Sequence, residues 1–343
     1  MSWDWQWRWW KHHAPELNAT LSVWALRSAD GQLVGLAPFY LHAAKHRGGF
    51  SGARLELIGS LWRREGGVFS EYLDLILAES HRDALIRELA TRILPAAQWV
   101  DLVISNIKPT SAAARVCSLL GDRTYVRQTD PLEAHVTRLD GDFAGYVRAL
   151  NGGTRRKLWN QRSRLVSPRI GLADESGVGD FLDQLDRYHS TRWGGAHYQN
   201  LRRRFHLDYA SAMARQGALQ MTTLYSDGAP LSVMYNVRAG EAEYNIQSGF
   251  DAGRTSGISP AYLHFGYSIE QACRDGIKTF DFLAGEGRSR QYKRDFLTQK
   301  TEVVTIQAIR APLAWLYRAY DRFRRRDLVE SNCKEHDEAE TKI

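Results

Sequence analysis

Gly249-Phe250-Asp251-Ala252-Gly253-Arg254-Thr255-Ser256-Gly257-Ile258-Ser259-Pro260 is the stretch on which the reading of this chain turns. It opens where a strand read from Ala242 to Phe250 ends, and it runs directly into a helix predicted from Pro260 to Asp275. Proline suits the first turn of a helix, where an N–H would have no intrahelical partner. The glycines let the backbone turn tightly and come close to a ligand. The N–H groups at the helix start, with the positive end of the helix dipole, suit a pyrophosphate. Arg254 adds a cation able to hold a phosphate bidentately. Cofactor binding is therefore expected at Arg254, Thr255, Ser256, Gly257, Ile258 and Ser259.

Upstream lies a meander: Leu219 to Tyr225, a turn at Asp227-Gly228, Leu231 to Arg238, a turn at Ala239-Gly240, then the strand to Phe250. Downstream the helix stops at Gly276 and a strand follows from Lys278 to Ala284, with another from Thr301 to Arg310 and a last helix from Pro312 to Arg325. The first half of the chain repeats the order. A hairpin spans Leu21 to Leu41 about Asp30-Gly31, with strands at Glu71–Ala78, Trp99–Ile107 and Leu132–Arg138 and helices at His81–Leu94 and Ser111–Leu120. Asp30-Gly31-Gln32-Leu33 echoes Asp227-Gly228-Ala229-Pro230, and Val100-Asp101-Leu102-Val103 echoes Phe280-Asp281-Phe282-Leu283, as in a duplicated unit. The first-half connection Leu77-Ala78-Glu79-Ser80 has neither glycine nor arginine, which marks it as a structural, acceptor-shaping copy. Between the halves come a helical stretch from Phe143, broken at Asn151-Gly152-Gly153, and helices at Val178–Arg192 and Gln199–Gln216. The expected division is residues 1–140, residues 141–327 with the loop, and a disordered polar tail at 328–343.

Composition narrows the class. The 343 residues suit two domains, and 43% hydrophobic with 25% charged residues is enough for a packed core. No apolar run reaches the roughly 18 residues of a membrane span, and the start lacks a basic region followed by an apolar one, so a cytoplasmic location is expected. Cys117, Cys273 and Cys333 have neither disulfide nor zinc spacing, and no metal is expected. The net charge of +7 is uneven, with Arg155, Arg156, Lys157, Arg162 and Arg164 close together and Arg322, Arg324, Arg325 and Arg326 near the end. A solvated helix face or a phosphate-bearing partner explains the first cluster equally well, while the second reads as a solvated face. Five tryptophans in the first thirteen residues read as an alternating strand, or as a helix with Trp3, Trp7 and Trp10 on one face. Packing against the first half is the expectation for them, with a peripheral membrane contact as the sharper reading.

Arg254-x-x-Gly257-x-Ser259 resembles a relaxed form of the acyl-CoA loop of GNAT acyltransferases, and the order meander, loop, helix, strand is theirs too. The run Asp281-Phe282-Leu283-Ala284-Gly285-Glu286, with Tyr292-Lys293 after it, resembles the signature of the CelD-like (BcsL-type) GNAT acyltransferases, relatives of the FemABX peptidyltransferases. Gly35-Leu36-Ala37-Pro38, the basic helix at Arg155 to Leu165 and His189-Ser190-Thr191-Arg192-Trp193 match as well, so the likeness spans about Trp3 to Arg310. It departs in two places: the chain starts in the middle of that family's first helix, and Gly287 to Gln291 lengthens the gap before Tyr292. The resemblance implies an α/β (α+β) fold of two tandem GNAT-like halves, each a mixed, mostly antiparallel sheet flanked by helices. It implies acetyl-CoA or another acyl-CoA as co-substrate, and a sugar, polysaccharide precursor or envelope metabolite as acceptor in exopolysaccharide or cellulose production.

Attack of an amine or hydroxyl on a thioester needs a base, oxyanion stabilisation and a proton for the thiolate. Glu286, after a strand end and flanked by glycines, is the first choice of base; Asp281 is the second, or a structural partner of Arg192 or Lys293. Tyr292 is either the acid for the thiolate or a packing residue. Arg192, Trp193, Lys293 and Arg155 are the expected substrate-binding residues, and His189 reads as a core histidine. Two rivals stand beside this reading. One is a FemABX-like transferase using charged tRNA, whose phosphates the Arg155–Arg164 cluster would track. The other is a GNAT-shaped module that holds a polysaccharide or synthase subunit without chemistry. DNA is not an expected partner.

Overall fold

The computed structural model describes residues 2–63, 67–68, 70–121, 124–195, 197–284 and 292–323. Two compact units emerge. An N-terminal unit holds Ala14–Trp62, Leu73–Asp130 and Val304–Ile343, and a C-terminal unit holds Met1–His13, Arg63–Tyr72 and Pro131–Val303. Each is a mixed, mostly antiparallel sheet flanked by helices.

The tryptophan-rich start is helical, α1 (Trp3–Leu17). Its Trp5 and Trp9 face inward while Trp3 and Trp7 are exposed and stack on each other at 5.9 Å. The expected packing against the first half is corrected here. Trp5 meets the rings of Phe205 and Tyr209 at 4.9 and 4.8 Å, and Arg8 pairs with Asp208, all within the C-terminal unit.

In the N-terminal unit, β1 (Thr20–Arg27) and β2 (Leu33–Lys45) form the expected hairpin, with Gly31 at φ +85° in its turn. An antiparallel β3 (Ser51–Leu57) follows, and then the short β4 (Ile76–Leu77), which pairs with β2. Next come α2 (Arg82–Glu88), a π-turn at Leu89–Ile93 and α3 (Leu94–Ala96). They lead to β5 (Asp101–Ile107), parallel to β3 and buried along its whole length, and to α4 (Ala112–Ser118). A strand buried on both faces reads as continuous apolar sequence, which is why Trp99 to Ile107 was legible. The strand expected over Glu71–Ala78 survives only as β4. Tyr72 takes φ +58°, and the Asp74 carboxylate is turned aside to accept the N–H groups of Ala112 and Ala113 at 3.2 and 2.8 Å, at the start of α4.

The C-terminal unit holds the end of β6 (Thr124–Arg138), then α5 (Phe143–Ala149), α6 (Gly152–Leu158), β7 (Arg169–Leu172), α7 (Val178–Trp193) and α8 (Asn200–Arg215). The meander follows as β8 (Leu219–Ser226), β9 (Ala229–Ala239) and β10 (Ala242–Phe250), its first turn made by Asp227 and Gly228 at φ +55° and +71°. After it come α9 (Pro260–Arg274) and β11 (Thr279–Ala284), which is parallel to β10 and antiparallel to β6. The last strand, β12 (Gln299–Arg310), pairs with β5 over Val304 to Ile309 inside the N-terminal unit, and residues 313–323 are helical.

The two units repeat one motif: a three-stranded meander, a helical crossover, and a strand parallel to the third. A crossover of this kind buries a helix on the sheet face. Apolar positions of α9 (Phe265, Ile269, Ala272) meet Phe280, Phe282 and Phe296 in the C-terminal core. Gly266 lets α9 approach so closely that an added Cβ would lie 2.5 Å from the Leu158 carbonyl oxygen at the end of α6. No described helix is long and apolar enough to cross a membrane.

Candidate active site

The two copies differ at the point where the parallel strands part. β10 and β11 pair only from Ala242 with Thr279 to Tyr244 with Asp281; β10 then bulges between Asn245 and Gln247 against β9 and runs on to Phe250 without a ladder to β11. A parted parallel pair leaves backbone donors and acceptors that an extended, amide-bearing chain can use as a strand would. In the N-terminal unit the parallel pairing likewise stops at Glu56 with Val103, but side chains knit the strands together beyond it. The Ser60 and Ser105 hydroxyls meet at 2.6 Å, and the Glu56 carboxylate accepts the Ser60 hydroxyl at 2.6 Å and the Trp62 N–H at 3.2 Å.

Past Phe250, Asp251 caps a short turn by accepting the Gly253 N–H at 2.9 Å, and Gly257 takes φ +70°. A Cβ at Gly257 would be 2.9 Å from Nη1 of Arg164, a side-chain tip that can move, so it is the positive φ that favours glycine at this turn. The Arg164 guanidinium donates to the Gly257 carbonyl, and the Ser259 N–H donates to Oε1 of Gln161 at 2.9 Å. The basic segment after α6 is thus fastened to the loop. Lys157 sits 4.8 Å above the ring of Tyr262 in the first turn of α9, bringing another cation to the helix start. Arg162 lies inward, paired with Glu270 at 2.6 Å and stacked on Tyr267 at 3.8 Å. The cluster therefore divides: Arg162 is structural, Arg164 shapes the loop, and Arg155 and Arg156 on α6 carry no ion pair among the described residues.

The loop residues take varied parts. Arg254 donates to the carbonyls of Ser226 at 2.9 Å and Ala229 at 3.5 Å, so its guanidinium braces the β8–β9 turn. Thr255 and Ser256 are exposed, and Ile258 packs on the apolar cluster of Leu224, Leu231 and Leu263. Arg192 extends over the Phe250 ring at 5.0 Å, and Trp193 ends α7. His189, on α7, has its ionisation suppressed by burial and faces the Ser248 carbonyl, as a core histidine would.

At the far end of β11, Leu283 takes φ +57°, which turns the carbonyls of Phe282, Leu283 and Ala284 toward one point. Nζ of Lys293 donates to all three, at 2.7, 2.8 and 3.1 Å. The buried Asp281 carboxylate accepts the Leu283 N–H at 2.7 Å and the Tyr72 hydroxyl at 3.3 Å. The Glu71 carboxylate accepts the Ala284 N–H at 3.1 and 3.0 Å. Burial, reinforced by the Asp281 charge, pushes Glu71 up to about 8. Burial also pulls Lys293 down to about 8 against the opposing pull of the two carboxylates. Tyr292 is pushed up to about 12 by burial, and its ring lies 6.0 Å from Phe265 in the aromatic cluster. Glu286 lies outside the described residues.

Asp281, Tyr292 and Lys293 are thus brought to one end of β11, joined by Glu71 and Tyr72. Sequence reading missed those two because Glu71 was placed in a strand, with neighbours alternating as a strand's would. Its only signal was a carboxylate beside a tyrosine in a stretch with few charges.

Residues 152–294 match the family model described as the acetyltransferase (GNAT) domain. No protein of the curated set matches the chain. Among solved structures, FemX is similar with a TM-score of 0.58 at 12% identity, covering 86% of this chain and 90% of its own. A conserved protein of unknown function from Bacteroides thetaiotaomicron gives 0.54 at 10% identity, covering 89% and 88%. L-PGS from Bacillus licheniformis gives 0.51 at 14%, covering 94% and 96%. Likeness at such identities is a likeness of fold. The chain thus has a GNAT-like fold, and residues 152–294 are the part similar to the acetyltransferase (GNAT) domain.

Proposed function

We propose that the C-terminal unit transfers an acyl group from an acyl-CoA to a small or glycan acceptor, a sugar, polysaccharide precursor or related envelope metabolite, as in the CelD-like relatives the sequence resembles. The observation that carries the reading is the parted pair β10 and β11 opening beside the Gly257 turn and the start of α9. The turn suits a phosphate: Gly257 permits a close approach, the first turn of α9 leaves the N–H groups of Ala261 and Tyr262 without intrahelical partners, and Lys157 and Arg164 flank it. The acyl-CoA would supply an activated thioester, and its pantetheine amides suit the facing edges of β10 and β11 beyond Tyr244 and Asp281, which share no ladder among the described residues. Around it, Lys157, Arg164 and the α9 start bind phosphate, Gly257 permits the approach, and the β11 end carries the acid–base groups.

Acetyl-CoA should raise the melting temperature of the protein, and Gly257→Val should abolish the shift while leaving the ligand-free protein folded. An unchanged shift in Gly257→Val would place the cofactor elsewhere. A second reading is a transferase using charged tRNA, whose phosphates Arg155 and Arg156 would meet, since neither carries an ion pair among the described residues. Ribonuclease treatment abolishing turnover would favour it over acyl-CoA.

A further inference from the structure

Residues 313–323 form a helix of the N-terminal unit with two unlike faces. Leu313 and Tyr317 are buried against Ile309, with Val100, Tyr125 and Leu316 packed around them. Asp321, on the flank, accepts the Tyr125 hydroxyl at 2.8 Å and pairs with Arg127 at 2.6 Å. The helix is thereby fastened to the start of β6, and its one carboxylate is neutralised. The opposite face leaves Trp315 62% and Phe323 66% exposed, with Arg318 and Arg322 beside them at helical spacing. Neither arginine carries an ion pair among the described residues, and Arg318 lies 5.3 Å over the Tyr125 ring. The turn at residues 47–50 adds to the patch. Its Arg47 lies 3.4 Å over the ring of Tyr320, while Phe50, 53% exposed, and Leu316 both border Gly48. In the sequence Arg324, Arg325 and Arg326 follow at once, and the acids of the chain's end begin only at Asp327.

Large rings held out in water and set among cations match a partner that offers both apolar depth and negative charge. We infer that this face of the N-terminal unit is a docking surface for a membrane leaflet rich in anionic phospholipid. Tryptophan favours the boundary between headgroups and acyl chains, and phenylalanine reaches the same layer from helices that lie on a membrane. Arginine meets a lipid phosphate through two parallel N–H bonds, and basic residues near an anionic leaflet are drawn to it. The outer face of a helix is convex, which suits a flat, yielding surface; a single-stranded nucleic acid is instead held in a groove. The other exposed aromatic pair, Trp3 and Trp7 on α1, lacks the cationic half, because Arg8 and Lys11 are engaged by Asp4 and Asp208. The arginines near the chain's end, which read from sequence as a solvated face, thus have exposed aromatic neighbours that solvation alone does not explain. Acyl transfer in the C-terminal unit neither requires this face nor accounts for it.

The test is sedimentation of the full chain with vesicles of phosphatidylcholine alone or of phosphatidylcholine and phosphatidylglycerol in equal parts. The mixed vesicles should carry the protein down, the neutral ones should not, and added salt should release it. Each arginine is worth about fivefold in affinity for the mixed vesicles, so Arg318→Gln with Arg322→Gln should weaken binding by about 25-fold. Trp315→Ser with Phe323→Ser should weaken it by more than about tenfold. All four side chains point outward, so the melting curves of these variants should match that of the parent. Should the arginine pair melt early, Arg322→Gln alone carries the test at about fivefold. Any of four results overturns the inference. These are no sedimentation with the mixed vesicles, equal sedimentation with neutral ones, affinity unchanged in the variants, or affinity lost in Trp3→Ser with Trp7→Ser and kept in the arginine pair. A single-stranded oligonucleotide bound through Arg318 and Arg322 while the vesicles are not would assign the face to nucleic acid instead.

Discussion

Replacing Gly266 with alanine tests the closeness of the contact between α6 and α9 and its hold on the loop at Gly257. The new methyl carbon would sit 2.5 Å from the Leu158 carbonyl oxygen and 3.0 Å from Cγ and Cδ2 of the same residue. Ordinary contact begins at 3.4 Å, so the backbone oxygen must retreat by about 0.9 Å, and a carbonyl at a helix end cannot rotate away as a side chain could. Overpacking of this kind costs about 1–3 kcal/mol. Alanine returns up to about 1 kcal/mol of helix propensity relative to glycine. From the middle of the overpacking range the net is a loss of about 1 kcal/mol, which for a unit of this size lowers the melting temperature by about 2–4 °C. Differential scanning fluorimetry measures it directly. Because Gln161 and Arg164 follow Leu158 by three and six residues and hold Ser259 and Gly257, retreat of α6 should also loosen the loop and weaken acetyl-CoA binding several-fold. A melting temperature unchanged or raised would show that the helices yield without cost and would refute the packing argument.

Three further outcomes are expected. Glu71 holds a proton in the folded state up to about pH 8 but releases it near 4.5 when unfolded, so its contribution to stability falls as pH rises between those values. Lys293 has the opposite sign between about 8 and its ordinary 10.5, since the folded state sheds its proton first. Urea titrations across pH should therefore show the pair's contribution lowest near pH 8, with Glu71→Gln removing the acidic limb of the trough; a flat difference between the two proteins would count against the buried placement. Reversing Arg155 and Arg156 to glutamate should weaken ligand or acceptor binding while the melting curve stays within about 2 °C, because neither carries an ion pair among the described residues. Arg162→Met should instead lower the melting temperature measurably, since it takes from Glu270 its inward partner, leaving the exposed Arg274, and removes the guanidinium stacked on Tyr267.

Much of the fold was legible because its elements obey simple periods. The meander from Leu219 to Phe250, the amphipathic α9 and the apolar β5 needed no tertiary information, and the Asp-Gly turns announced both hairpins. What escaped did so for physical reasons. β3 carries Arg54 and Glu56 inward, where Asp101 at 2.7 Å and Ser60 satisfy them, so its alternation reads as polar surface. β7 is a four-residue edge strand with a glycine in it. Glu71 and Tyr72 could not be placed because their meaning depends on Ala284 and Asp281, more than two hundred residues away. The loop was found from sequence, but Arg254 braces a neighbouring turn where a phosphate contact was expected, because the carbonyls of Ser226 and Ala229 lie within its reach.

The brief passage of residues 63–72 through the C-terminal unit has a consequence for how such a chain can be cut, fused or inherited. A gene fragment encoding only the second half would hold the loop, the helix and the parted strands, yet would leave behind Glu71, Tyr72 and the tryptophans of α1. Complementation by a separately expressed first half should restore what the fragment lacks. The repeated motifs are therefore not two self-contained stretches of sequence, because segments on either side of the first hairpin belong to the C-terminal unit.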